Sequence, residues 1–215
     1  ISGTVVTYPA GDVASTGTVV HTADAGDGRT AVILDRTAVH PVDTAWPDQP
    51  ADRGALVLAD GSRLAIVGAV VGATQGDGLA LGSDVPVRTG TDGWTFAVAH
   101  LVDGSAPAVG DTVEVEVDAA FRAALSAGHT ACHLASLALD AALAGAWTKD
   151  APADALGAPA FDSLAIQESR ITPHSSRDVY RVGKSLRRKG FDPGALDDLD
   201  ALAARVNTRL AAWVA

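Results

Sequence analysis

Two histidines four residues apart, His129 and His133, interrupt an apolar, alanine-rich run, SAGHTACHLASLAL from Ser126 to Leu139. On a helix, positions i and i+4 share one face a turn apart, so both imidazoles can address a single metal ion. Zinc sites often draw two ligands from one helical turn for this reason. A zinc protease would place a glutamate directly after the first histidine as its base, and here that position is Thr130. The protease reading therefore fails. Two ligands also leave a tetrahedral ion half-coordinated, and a bare H-x-x-x-H is more often a pair of core histidines than a metal site. Cys132 lies about 100° around the helix from His133, and it reads as a small buried thiol. The only histidine after His133 is His174, in the polar stretch ITPHSSRD, which reads as a loop.

A second constellation is electrostatic. From Arg170 to Lys189 the cations are Arg170, Arg177, Arg181, Lys184, Arg187, Arg188 and Lys189, against Asp178 alone. That segment carries +6, and the remainder of the chain −16. SSRDVYRVGKSLRRKG reads as a helix from a serine N-cap to a closing Gly190. On it Arg177, Arg181, Lys184 and Arg188 fall at i, i+4, i+7 and i+11, with Val179, Val182 and Leu186 left to bury the other side. A one-sided row of cations suits a phosphate backbone, because each neutralised phosphate releases a counterion. A solvated face is the usual alternative, and the contrast with the acidic remainder favours an RNA contact.

The elements that must position these groups change character along the chain. Up to about Gly110 the signals are β. STGTVVHTADAGDGRTAVILDRT and ALVLADGSRLAIVGAVVG read as hairpins, the second turning at Asp60-Gly61. GWTFAVAHL follows, and DTVEVEVD alternates Val113, Val115 and Val117 with Glu114 and Glu116, the period of a half-buried strand. Short strands at this spacing suggest a small β-barrel-like domain over residues 1–115. From 116 to 215 the pattern is α+β. AAFRAALSAGHTACHLASLALDAALAG reads as one long helix ending at Gly145, FDSLAIQESRI as a strand, and the segment after Asp192-Pro193 as a final helix.

Composition bounds the function. Of 215 residues, 47% are hydrophobic and 20% charged, which is globular and not disordered. A single cysteine excludes an internal disulfide and suits a reducing, cytoplasmic setting. The longest apolar run, Leu64 to Ala73, is half a membrane span, so no membrane role is expected. A net charge of −10 excludes a general nucleic-acid-coating surface but allows a local basic patch. Asp35, Asp43, Asp48 and Asp52 read as turn formers and ion-pair partners, not a carboxylate dyad.

Four motifs occur in one order: Leu34-Asp35-Arg36-Thr37, Gln49-Pro50-Ala51-Asp52-Arg53-Gly54, Val109-Gly110-Asp111 and His129-Thr130-Ala131-Cys132-His133, with Val206-Asn207 further on. Together they resemble the editing domain of alanyl-tRNA synthetases and the free-standing alanyl-tRNA editing proteins. The likeness covers about residues 17 to 140. It implies an α+β, two-layer editing domain and a zinc-dependent deacylase that removes wrongly attached amino acid, typically serine, from alanine tRNA. It implies His129 and His133 as zinc ligands, Thr130 as a contact to the serine hydroxyl, and Gln49 facing the active site. The chain departs from the family in two places. Ala45-Trp46-Pro47-Asp48 stands where the family has a glycine triplet, which rebuilds the pocket wall. No C-x-x-x-H follows the Val206-Asn207 helix, so the other two zinc ligands are expected beyond Ala215, the alternatives being loss of the metal site or an improvised third ligand. The rival expectations are a metal-free tRNA-binding homologue and a metal-dependent hydrolase of another acyl ester.

Overall fold

Apolar residues that alternate on some strands and run continuously on others decide the first half of the structure. In a computed structural model of the chain, which describes residues 1–76 and 78–215, nine strands form before the first long helix. They are β1 (Val5–Val6), β2 (Ala14–Asp24), β3 (Arg29–Leu34), β4 (Arg36–Thr37), β5 (Gly54–Val57), β6 (Arg63–Thr74), β7 (Ala80–Leu81), β8 (Thr95–Asp103) and β9 (Thr112–Val117). Seven of them make one antiparallel sheet in the order β5-β9-β2-β3-β8-β6-β7, with β5 also pairing β6. β1 and β4 form a small parallel pair.

β3 is apolar at successive positions because both its faces are covered. Val32 and Leu34 pack with Val19, Leu56, Val98, Val102 and Val115, whereas Ala31 and Ile33 pack with Ala97 and Ala99 on the opposite side. β9 keeps its alternation, with Val113 and Val115 buried and Glu114 exposed. One polar pair sits inside this core. His100 on β8 is fully buried, Nδ1 donating to the Val32 carbonyl at 2.9 Å and Nε2 facing the Thr37 hydroxyl at 2.8 Å. Since a carbonyl only accepts, Nδ1 carries the proton and Thr37 donates to Nε2. Burial pushes the His100 pKa down to about 4, so the ring stays neutral.

The expected small barrel over residues 1–115 is corrected to this large antiparallel sheet in a mixed α/β chain. β6 runs 12 residues, long enough to pair β5 at its start and β8 from Ile66 to Thr74, and to carry β7 along its far end. The compact units are Ile1–Ala124 and Leu125–Ala215. The helix α1 (Ala119–Ala142) begins in the first and continues into the second.

Within the first unit, Arg122 on α1 meets Asp52, whose side chain is 1% exposed. Arg122 Nε donates to Asp52 Oδ1 at 3.0 Å, and its Nη2 donates to the other carboxylate oxygen. Nη2 also reaches the Ala38 carbonyl and Nη1 the Asp12 carbonyl. Asp52 Oδ2 accepts from the His40 backbone N–H as well. Two residues on, Gly54 must be glycine, since a Cβ there would lie 2.0 Å from the Glu116 carbonyl oxygen of β9.

The second unit holds the rest of α1, then α2 (Phe161–Ala165), the antiparallel hairpin β10 (Ile166–Thr172) and β11 (Ser175–Tyr180), α3 (Lys184–Arg188) and α4 (Leu199–Val214). Its core is Leu143, Phe161, Ala165, Leu186, Phe191 and Leu202. Three expectations are corrected here. The loop ITPHSSRD is a two-residue turn at Pro173-His174 joining two strands, with His174 at φ 59°. The helix expected from Ser175 to Gly190 is a strand to Tyr180 and a helix of five residues. Gly145 does not close α1, which stops at Ala142 and is followed by a 3-10 turn over Ala144–Ala146.

Asp140 is buried in α1, with Oδ1 accepting the Asp162 N–H at 2.7 Å at the start of α2. Burial, reinforced by the charges of Asp162 and Asp154, pushes its pKa up to about 6. The folded protein thus holds a proton that the unfolded chain releases near pH 4. Stability from this group is fully present below pH 4 and is lost as pH rises to about 6.

Two measurements follow. Asp52→Ala, which strands a buried guanidinium, is expected to lower unfolding stability by about 3–5 kcal/mol in urea titration, while Arg63→Ala, which breaks an exposed pair with Glu116, leaves the midpoint unchanged. Asp140→Asn keeps an acceptor for Asp162 and removes the charge. Between pH 4 and 6 its stability is expected to fall less with rising pH than that of the native chain, and at pH 7 to exceed it by on the order of 1–2 kcal/mol. A wild-type slope retained in the variant counts against Asp140 as its source.

Candidate functional site

α1 forms because Ala and Leu dominate a proline-free run, and Asp118 starts it by accepting the Phe121 N–H at 2.9 Å. In the second unit its buried stripe includes Leu125, Gly128, Cys132, Ala138 and Asp140. Gly128 is where the hairpin turn touches the helix. A Cβ there would lie 2.5 Å from the Thr172 carbonyl oxygen and 2.8 Å from that of Ser175, so a side chain at position 128 would push the hairpin away.

His129 and His133 each follow a residue of that stripe, and so sit at the border of the buried face. His129 is half-buried and His133 exposed. Their Nε2 atoms approach to 2.8 Å, with ring centroids 4.7 Å apart and planes 43° from parallel. A direct N···N contact needs one ring to donate and the other to accept. Two imidazole nitrogens on one tetrahedral zinc, each at about 2.0–2.1 Å, stand about 3.3 Å from each other. The pair is within half an ångström of that separation, so its donor chemistry and convergence fit half of a zinc site. Among the described residues, no group of three or more His, Cys, Asp or Glu side chains could hold a metal ion.

Cys132 is engaged elsewhere. Its thiol lies 3.4 Å from Asp178 Oδ2 and 4.0 Å from Ser169 Oγ, and Ser169 donates to Asp178 Oδ1 at 2.6 Å. Burial raises its pKa, with the Asp178 charge adding, so the sulfur is a protonated donor in a polar cluster under the hairpin. Sequence reasoning found the buried thiol but missed Ser169 and Asp178. Their signal was the period-two placement of Ser176, Asp178 and Tyr180 on one face of a strand. It also missed Asp140, which a carboxylate inside the apolar stretch ALDAAL announces.

Thr130 is exposed on α1 in the second unit. Gln49 belongs to the first unit, half-buried on the segment between β4 and β5. That segment is tied at both ends. Val42 bridges Val70, and His40 and Asp52 exchange two hydrogen bonds, His40 N–H to the carboxylate and Asp52 N–H to the His40 carbonyl. Asp43 behaves as the turn former expected, its Oδ1 accepting the Ala45 N–H at 2.7 Å. Asp35 likewise accepts the Thr18 N–H at 2.7 Å.

The cations do not form the expected helical stripe. Arg177 lies on β11 directly opposite Arg170 on β10, Arg181 follows the strand, and Lys184 and Arg188 lie at the two ends of α3. All five side chains are exposed. Arg170 is in part neutralised by Glu168 at 3.1 Å. Two arginines facing each other across strands repel, which an anion between them would relieve. Compared with known protein families and with characterised proteins, the chain matches no family model and no curated sequence.

Proposed function

We propose that this chain is a metal-dependent aminoacyl-ester hydrolase acting on mischarged alanine tRNA, most simply its seryl form, through an α+β editing unit of two layers. The observation that carries the reading is the convergence of the His129 and His133 Nε2 atoms to 2.8 Å on one helical turn, within the run of motifs that resembles the editing family. His129 and His133 are the residues that would hold zinc. When bound, the ion supplies Lewis acidity toward the ester carbonyl.

The chain's own residues have separate tasks in this reading. Thr130, exposed beside His129, offers a hydroxyl to the serine side chain. Gln49 offers an amide to the aminoacyl end. Arg177, Arg181, Lys184 and Arg188 bind tRNA phosphates, and Arg170 joins them from across the hairpin. An aminoacyl ester is already activated, so orientation and charge stabilisation suffice without a protein nucleophile. The buried, protonated Cys132 suits a reducing, cytoplasmic setting. No helix among the described residues is long and apolar enough to cross a membrane.

Metal analysis of the full gene product, paired with deacylation of Ser-tRNA(Ala), tests the proposal. About one zinc per chain is expected, with loss of both metal and at least about 100-fold in rate for His129→Ala or His133→Ala. A protein without metal that deacylates nothing sinks the reading, and activity on a free amino-acid ester but not on charged tRNA redirects it to another acyl ester. Reversal of charge in the double variant Arg181→Glu, Arg188→Glu should weaken tRNA binding and lower the salt slope by about 2. An unchanged slope would leave these cations as a solvated surface.

A further inference from the structure

The outer face of the hairpin carries an arrangement that its own packing does not explain. The register sets Arg170 directly opposite Arg177 and, next towards the turn on the same face, Thr172 opposite Ser175. All four side chains are exposed, whereas Ile171 on the other face is buried. Like charges directly opposite on a sheet destabilise it, because their β carbons stand only about 5 Å apart. Glu168, two residues before Arg170, relieves one of the pair. Its Oε1 accepts from Arg170 Nε at 3.3 Å and from Nη2 at 3.1 Å, so one edge of that guanidinium is held and Nη1 is left over. Among the described residues the Arg177 guanidinium meets no carboxylate.

The groups beside the pair are of the kind that hold an oxyanion. Thr172 Oγ1 and Ser175 Oγ lie 2.6 Å apart. One hydroxyl donates to the other, which leaves the second proton free for a ligand. Planar guanidinium forks from both strands, with a hydroxyl beside them, suit a tetrahedral oxyanion better than the flat carboxylate that Arg170 now meets. That carboxylate is also easily displaced. The Arg170 side chain is 71% exposed and that of Glu168 48%, and a pair so well hydrated gains little from its contact.

We infer that this face is a phosphate site, in which Arg170, Arg177 and the Thr172–Ser175 hydroxyls hold one phosphate group and Glu168 is the internal competitor displaced from Arg170 when it binds. The inference deepens the tRNA contact proposed above and rests on it for the source of the phosphate, a phosphodiester of the bound strand; a free phosphate presents the same chemistry. Glu168 keeps the site weak towards a single small anion. Occupancy then depends on the neighbouring contacts of a polyanion, which raise the local concentration of each further phosphate, and Arg181 and Lys184 stand next along the chain to make them.

Titration of the full chain with inorganic phosphate, followed by NMR at the arginine Nε–H groups, tests the site, with acetate as the planar control. Arg170→Ala and Arg177→Ala are each expected to weaken phosphate binding about 3- to 10-fold, and Glu168→Gln to tighten it about 2- to 5-fold. In the Arg170→Ala background the Glu168→Gln gain should vanish, since the competitor has lost the group it competes for. Arg177→Ala should unfold at the native temperature or above it, because a like-charge contact is relieved. Phosphate binding that ignores both arginines, acetate bound as well as phosphate, a Glu168→Gln gain that persists without Arg170, or a clear loss of stability in Arg177→Ala each overturns the proposal. Anisotropy of labelled tRNA(Ala) separates the sources. A salt slope lowered by about 2 in the double variant Arg170→Ala, Arg177→Ala assigns the site to the bound strand, and an unchanged slope with weakened phosphate binding keeps the site and assigns it to free phosphate. Deacylation of Ser-tRNA(Ala) is measured separately, and its absence sinks the deacylase reading while leaving the phosphate site standing.

Discussion

The buried pair between Asp52 and Arg122 is the constraint on which the first unit's arrangement turns. A carboxylate and a guanidinium taken out of water lose several kcal/mol of hydration each, of order, and recover it only if every donor and acceptor finds a partner. Here both carboxylate oxygens and four of the five guanidinium N–H groups do. Both carboxylate oxygens accept from Arg122, one accepts the His40 N–H too, and two further guanidinium donors reach the Asp12 and Ala38 carbonyls. Four segments distant in sequence thus meet at one charge pair: the entry to β2, the stretch after β4, the entry to β5 and the first turn of α1. Such a pair adds little net stability over an apolar substitute, but a shifted register would leave a charge buried alone. Its role is to make one arrangement of those segments much cheaper than any other.

Helix α1 obeys a second constraint, imposed by the hairpin. Gly128 and Cys132 face β10 and β11 because the Thr172 carbonyl needs the space of an absent side chain and Asp178 needs a donor. Each next residue on a helix is rotated by about 100°, so fixing Gly128 and Cys132 inward fixes His129 and His133 at the edge of the covered face. The histidines are therefore oriented by their neighbours' packing, not by their own. Rigid backbone and a reachable imidazole tip are what a metal ligand requires, and both follow from the residue preceding each histidine.

How legible this was in the sequence depends on whether one period explained a segment. In β9 the Val/Glu alternation has a single reading, and α1 has one because Ala and Leu dominate a long run without proline. In β3 continuous apolarity reads as a strand covered on both faces. The stretch from Ser175 to Gly190 carried two periods at once. Val179, Val182 and Leu186 mimic a helical stripe, yet Ser176, Asp178 and Tyr180 alternate toward α1, and Gly183 interrupts the pattern before Lys184. Tertiary partners decided it: Tyr180 donates to Asp162 at 2.8 Å and Asp178 engages Cys132. Neither partner is visible from within the segment. For the site, spacing located the histidine pair, while the ring-to-ring approach and the Asp52–Arg122 contact needed the folded chain.

Charge is divided unevenly between the two units. The first unit, residues 1–124, holds 6 Lys and Arg against 16 Asp and Glu, and the second, residues 125–215, holds 10 of each, so the first carries the whole net charge of −10. Within the second unit the cations concentrate between Arg170 and Lys189. A polyanion drawn from solution is therefore attracted by the hairpin and α3 and repelled by the sheet unit, at distances set by a Debye length of about 8 Å.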